Sequence, residues 1–325
     1  MSSNTLYNKF KDSEIELPCC PICKMNKQII RSGKRKIKDE IIQIYYCKSC
    51  SKRFTDRKIK RTVYAPKQII DAISYFNIGY TLDQTIKKMN RKYKIKLPIS
   101  TLNYWINRYK NELPFIKLRK KYNIDPDTII QTKQLQHQQP FLFRVHSLKL
   151  NLAGKQFPKL KYYINSMIKN SQDNIFQNKD VLRCSELARK IDIDIAKIKQ
   201  INSNLATNLT NLGLALAKTK KGRHQVIENF FLINDSVTIA TETPVYILKN
   251  EGRFENDLVG HVDLIQVRNN KIHVLDYKPE IENQNNVLAQ LSLYTRALSI
   301  RTKIPISFFI CAYFNEKGYY QFNLF

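Results

Sequence analysis

The sequence predicts a multidomain fold: a small β module, an all-α module and a C-terminal α/β domain. Three observations predict it. Five of seven cysteines lie in the first 50 residues. Residues 66–110 carry apolar residues at helical spacing between Pro and Gly punctuation. The last hundred residues contain two alternating runs flanking Asn269-Asn270. A length of 325 residues accommodates such a division. The expected segments are 15–60, 61–112, a connecting region 113–180, and 181–325. With 43% hydrophobic and 25% charged residues, the chain is not of disordered composition. It has no apolar run of roughly 18–20 residues and no apolar stretch near its N-terminus. No membrane partner is therefore expected, and the expected location is cytoplasmic.

The formal net charge of +28 is uneven. Residues 225–325 hold nine Lys/Arg against eleven Asp/Glu, so the excess belongs to the first 224 residues. Residues 24–61 alone hold fourteen Lys/Arg and three Asp/Glu. Such a block fits a polyanion, nucleic acid ahead of an anionic membrane. A Lys-, Asn- and Ile-rich composition inherited from an AT-rich genome is the plainer explanation, but it does not account for the asymmetry.

Cys20-Pro-Ile-Cys23 and Cys47-Lys-Ser-Cys50 are two CxxC pairs separated by 23 residues. Each pair offers two thiolates from one tight turn, and two such turns make a tetrahedral S4 site for structural Zn2+. Two disulfides are the alternative, disfavoured in a reducing compartment. Ile29-Ile30 and Ile41–Tyr46 read as strands with a turn near Gly33, Cys19 as a spare neighbour, and the leading residues as loosely ordered. Over residues 20–57 the segment resembles the zinc ribbons of insertion-sequence transposases and archaeal DNA-binding proteins.

In the second module, Pro66 suits a first helical turn and Gly79 a helix end. Thr81 can cap a second helix and Ser100 a third. Leu102, Trp105, Ile106 and Tyr109 form one buried face of the third helix, opposite Thr101, Asn103, Tyr104, Asn107 and Arg108. The three helices resemble a helix-turn-helix of the transposase or resolvase kind. That resemblance makes the third a recognition helix and those five residues its DNA contacts. A generic three-helix bundle is the alternative, and the basic loop Arg91–Lys96 is long for a tight turn. In the connecting region, Asp125-Pro126-Asp127 reads as a helix start, Phe141–Leu150 as a strand and Phe157–Ile168 as a helix. A long helix is expected over Val181–Lys218.

Near the C-terminus, Asn269-Asn270 suits a two-residue type I′ turn. Arg268 then faces Lys271, and counting outward puts Asp263 opposite Asp276 on one face, with Lys278 one side-chain step along. Facing carboxylates repel, and a divalent cation is the simplest compensation. This pattern resembles the PD-(D/E)xK nucleases, in their RecB-like branch. Asp263 matches the first acidic motif and Asp276-Tyr277-Lys278 the D-x-K motif. Gln290–Tyr294 matches the QxxxY helix, and Gly222–Glu228 the helix with a metal-binding His.

The resemblance implies a restriction-endonuclease-like α/β domain with a mixed central sheet. It also implies that His224, Asp263, Asp276 and the Tyr277 carbonyl hold Mg2+ or Mn2+. Lys278 would orient water, and Gln290, Tyr294 and Arg296 would position the backbone. Glu242 is read as a supporting acid and Glu228 as solvated. His224 on a helix surface and Tyr294 in the core are the structural alternatives. Cys184 and Cys311 are too few for an iron–sulfur cluster in that domain, and none is expected.

The function expected is thus a metal-dependent DNA endonuclease, targeted by its N-terminal modules, nucleoid-associated and of mobile-element type. Double-stranded DNA is the expected partner, and RNA or a branched structure the further substrate option. The resemblance also allows a homodimer, since many nucleases of this fold cut two strands as dimers. The rival is a non-catalytic DNA-binding regulator that keeps a nuclease-like scaffold.

Overall fold

The computed structural model describes residues 17–324, except 21, 24–27, 38–39, 56–63, 138, 170–174, 177–180, 192–197, 202–203, 218, 220–221, 253 and 281–283. The chain forms two compact units, residues 1–63 and 64–325. The leading segment and part of the basic run lie outside the described residues.

The first unit is a three-stranded antiparallel sheet of β1 (Ile29–Ile37), β2 (Glu40–Cys47) and β3 (Lys52–Phe54). Its small core is Cys20, Ile29, Tyr45 and Cys47, with Phe54 stacked on Tyr45 at 5.7 Å. The turn expected near Gly33 is instead a bulge inside β1: the register shifts between Arg31 and Lys34, and Gly33 takes a φ of 101°. Gln43 Nε2 donates to the Gly33 carbonyl at 2.7 Å and holds the bulge.

The second unit begins with α1 (Pro66–Ile78), α2 (Leu82–Tyr93), α3 (Ile99–Arg108) and α4 (Phe115–Arg119). Gly79 ends α1 at a φ of 130°, where a Cβ would meet the Ile124 carbonyl oxygen at 2.7 Å. Thr81 caps α2, accepting from the Gln84 amide at 3.2 Å. Helix α3 starts at Ile99 behind Pro98, so Ser100 lies in its first turn and does not cap it. Asp125 starts no helix. Its carboxylate accepts from the Asp127 amide and the Thr128 hydroxyl, which closes a turn.

Strands β4 (Ile130–His137) and β5 (Gln139–His146) then enter the large sheet, followed by α5 (Ser147–Gly154) and α6 (Pro158–Lys169). The long helix expected over 181–218 is replaced by short pieces: β6 (Leu182–Arg183), α7 (Cys184–Leu187), β7 (Lys199–Gln200) and α8 (Leu205–Gly213). Backbone groups of β6 and β7 are used by β9 and β12, which competes with helix there. The remainder is α9 (Arg223–Asn234), β8 (Thr238–Ile247), α10 (Lys249–Gly252), β9 (Leu258–Arg268), β10 (Lys271–Tyr277), α11 (Gln284–Thr302), β11 (Phe309–Phe314) and β12 (Tyr319–Phe322).

The large sheet runs β4-β5-β8-β9-β10-β11-β12-β7, with β6 against β9. It is mixed: β10–β11 and β6–β9 are parallel, and the other pairs are antiparallel. The region read as connecting therefore belongs to this sheet, and the three helices share its unit. Ser74 and Asn77 of α1 join Asn234 of α9 in a buried network, with Asn77 Nδ2 donating to Asn234 Oδ1 at 2.9 Å. No helix among the described residues is long and apolar enough to cross a membrane.

Lys149 of α5 is 2% exposed and donates Nζ to the carbonyls of Leu232 and Asp235 at the end of α9, 4.5 Å from the Phe115 ring centre. Burial pulls its amine down to about 7. Lys149→Ala would leave both carbonyls without that donor and open a cavity. A loss of about 2–4 kcal/mol is expected in urea unfolding of the full chain.

Candidate metal centres and cleft

The four cysteines of the first unit converge from the turn before β1 and the turn after β2. Their sulfurs all lie within 4.8 Å of one another, with Cys20–Cys50 at 3.6 Å and Cys23–Cys47 at 3.5 Å. Tetrahedral zinc with bonds of about 2.3 Å places its sulfurs slightly under 4 Å apart, so the cluster fits a structural zinc ion. Burial pushes the Cys47 thiol up, but the Cys50 and Ser49 amides and the neighbouring sulfurs win and pull it down to about 6. Cys19 stands exposed beside the cluster.

The second site lies in a cleft of about 500 Å³ where β8, β9 and β10 run side by side. Asn269 and Asn270 both take positive φ, 51° and 57°, as a type I′ turn requires. Lys271 pairs with Arg268 and Leu275 with Leu264, the expected register. One step further that register brings Asp263 against Asp276, and Asp263 Oδ2 accepts from the Tyr277 amide at 2.9 Å. On the other side of β9, Thr241 pairs with Leu264 and Thr243 with Val262, so Glu242 falls opposite Asp263. Three carboxylates thus lie in a row across three strands.

Helix α9 adds His224, whose Nδ1 is 3.6 Å from Asp263 Oδ2. His224, Glu228 and Asp263 place one ligand atom each within 4.8 Å of one another. Glu228, expected to be solvated, is 2% exposed, and its Oε1 has no hydrogen-bond partner. The missed signal was spacing: His224 and Glu228 are four residues apart on a helix and share a face. His261 also escaped the sequence reading. It lies two residues before Asp263 and lines the cleft, with Nδ1 3.7 Å from Glu242 Oε2.

Burial and the Asp263 charge hold Asp276 up to about 7 and Glu242 likewise to about 7. Burial also raises Asp263, but His224, Lys278 and the Tyr277 amide outweigh it and keep Asp263 below the usual carboxylate range. Burial lowers His224, and the Asp263 and Asp276 carboxylates more than reverse this. Lys278 Nζ lies 2.7 Å from Asp276 Oδ2, while Asp276 Oδ1 is buried without a hydrogen-bond partner. Such a crowded acid cluster fits a hard divalent cation.

From α11, Gln290 Nε2 donates to the Tyr294 hydroxyl at 2.7 Å, and both residues line the cleft. Gly260 lets Tyr294 in: a Cβ there would collide with the Tyr294 ring. Arg296 is exposed with its guanidinium 5.8 Å from the Phe254 ring centre, and is not among the residues lining the cleft.

On α3, Leu102, Trp105 and Ile106 are buried, while Asn103, Tyr104, Asn107 and Arg108 are exposed and Thr101 partly so. Arg108 pairs with Glu112 at 2.9 Å, and Asn107 Oδ1 accepts from Lys120 at 2.9 Å. The chain matches no protein-family model, no curated protein and no solved structure.

One zinc ion per chain is expected by atomic absorption of the purified full-length protein. Cys47→Ser should remove it and lower the thermal midpoint of the first unit.

Proposed function

We propose that the protein is a metal-dependent DNA endonuclease of the PD-(D/E)xK type. The observation that carries the reading is the placement of Asp263, Asp276 and Lys278 on adjacent strands at one cleft, with His224 brought to Asp263 from α9. Mg2+ or Mn2+ would be held by His224, Asp263, Asp276 and the Tyr277 carbonyl. Glu228 joins this set on its position beside His224 and Asp263. The bound ion would lower the pKa of a water and polarise the scissile phosphodiester.

The chain's own residues do the rest. Asp276 aligns the Lys278 ammonium, which faces the attacking water and the charge that develops on phosphate. Their ion pair and the nearby Asp263 keep Lys278 protonated, against the opposing effect of burial. The Gln290–Tyr294 pair supplies polar contacts to the strand being cut. The exposed face of α3 and the basic residues of the first unit supply affinity for the phosphate backbone.

Asp276→Ala and Lys278→Ala are each expected to lower Mn2+-dependent cleavage of plasmid DNA by at least roughly a hundredfold. Filter binding of the same DNA should be retained, and full activity in either variant refutes the reading. Protons on Asp276 and Glu242, each held near 7, compete with the cation, as does the proton on His224. Apparent Mn2+ affinity should therefore rise from pH 6 to pH 8, by roughly tenfold per unit for each proton displaced. Isothermal titration checks this.

A further inference from the structure

The proposed cleavage leaves two residues of the cleft without a task, Glu242 and His261. Both face the acid row from the side away from β10. Glu242 is opposite Asp263 on the neighbouring strand, and His261 is two residues before Asp263 on β9. Their side chains meet, with His261 Nδ1 3.7 Å from Glu242 Oε2. The His261 ring is stacked on Phe141 at 3.5 Å between centres, which sets its plane.

Glu228 reaches the same place from α9, its carboxyl hydrogen-bonded to that of Glu242. Two carboxyls in such contact hold either a shared proton or a cation. Oε1 of Glu228 is buried with no hydrogen-bond partner, an arrangement that costs about 1–3 kcal/mol when nothing fills it. Glu242 also sits at a φ of 50° within β8, a conformation that a non-glycine residue adopts at a cost of about 1–2 kcal/mol.

We propose that Glu242, His261 and Glu228 form a second divalent-cation position, beside the one assigned to His224, Asp263 and Asp276. Glu228 stands between the two positions and has an oxygen for each. The inference rests on the reading of the cleft as a metal site. Its donor set of two carboxylates and one imidazole favours Mn2+ over Mg2+ and Ca2+, which prefer all-oxygen surroundings. Neither Glu242 nor His261 is needed for the first position.

The test is a count. Full-length protein with zinc already in its cysteine cluster is equilibrated with Mn2+, and free Mn2+ is read by electron paramagnetic resonance. Two Mn2+ per chain are expected in the unmodified protein, and one in Glu242→Gln and in His261→Gln. One Mn2+ in the unmodified protein overturns the second position and leaves the first standing. No bound Mn2+ overturns both, along with the cleavage reading. Two Mn2+ retained by both variants also overturns the assignment to these residues. The count on the unmodified chain decides whether there is a second position even where a variant fails to fold.

Discussion

Two asparagines in left-handed conformation govern the rest of the cleft. Asn269 and Asn270 close β9 onto β10 with a two-residue turn, and a two-residue turn allows one register. That register stacks Asp263 against Asp276. A slip of one residue would send one of the two to the opposite face of the sheet. Antiparallel pairing of β8 then adds Glu242 to the row, and parallel pairing of β11 with β10 buries the strand that carries Asp276. Acids in the middle of a nine-stranded sheet are unfavourable on their own. Their arrangement persists because strand pairing and the packed core around them are stronger than their mutual repulsion.

The acids do not share the strain equally. Asp263 receives the Tyr277 amide and the His224 ring, and it is the one held ionised. Asp276 and Glu242 stand on either side with fewer donors and hold protons near neutrality. Neighbouring carboxyls pushed to different protonation behaviour are a common mark of a functional site. A cation entering such a cluster meets one charged ligand at once and acquires others as protons leave.

Much of this was legible from residue order. The hairpin register, the pairing of Asp263 with Asp276 and the Gln290–Tyr294 contact all follow from short-range periodicity, which a sequence displays directly. The four-cysteine cluster follows from the two CxxC turns. What stayed hidden depends on distant packing. Glu228 looks like any charged helix residue until α9 is laid on the sheet, and His261 looks like an ordinary strand residue until β8 pairs with β9. The helix expected over 181–218 failed because strand partners more than 50 residues away claim part of its backbone. The bulge at Gly33 moved a turn because the glycine relieves a register shift inside β1.

Helix α9 has two ends with different duties. Its first turns hold His224 and Glu228 at the cleft, and its last residue, Asn234, is buried against Ser74 and Asn77 of α1. The helices over residues 66–108 are for that reason built into the hull and are not a detachable cartridge. A different three-helix module could not be spliced in at residue 112 without recutting the far end of the beam that carries the histidine. Diversification is freest on the outward side of α3, where Asn103 and Tyr104 can change without disturbing the joint.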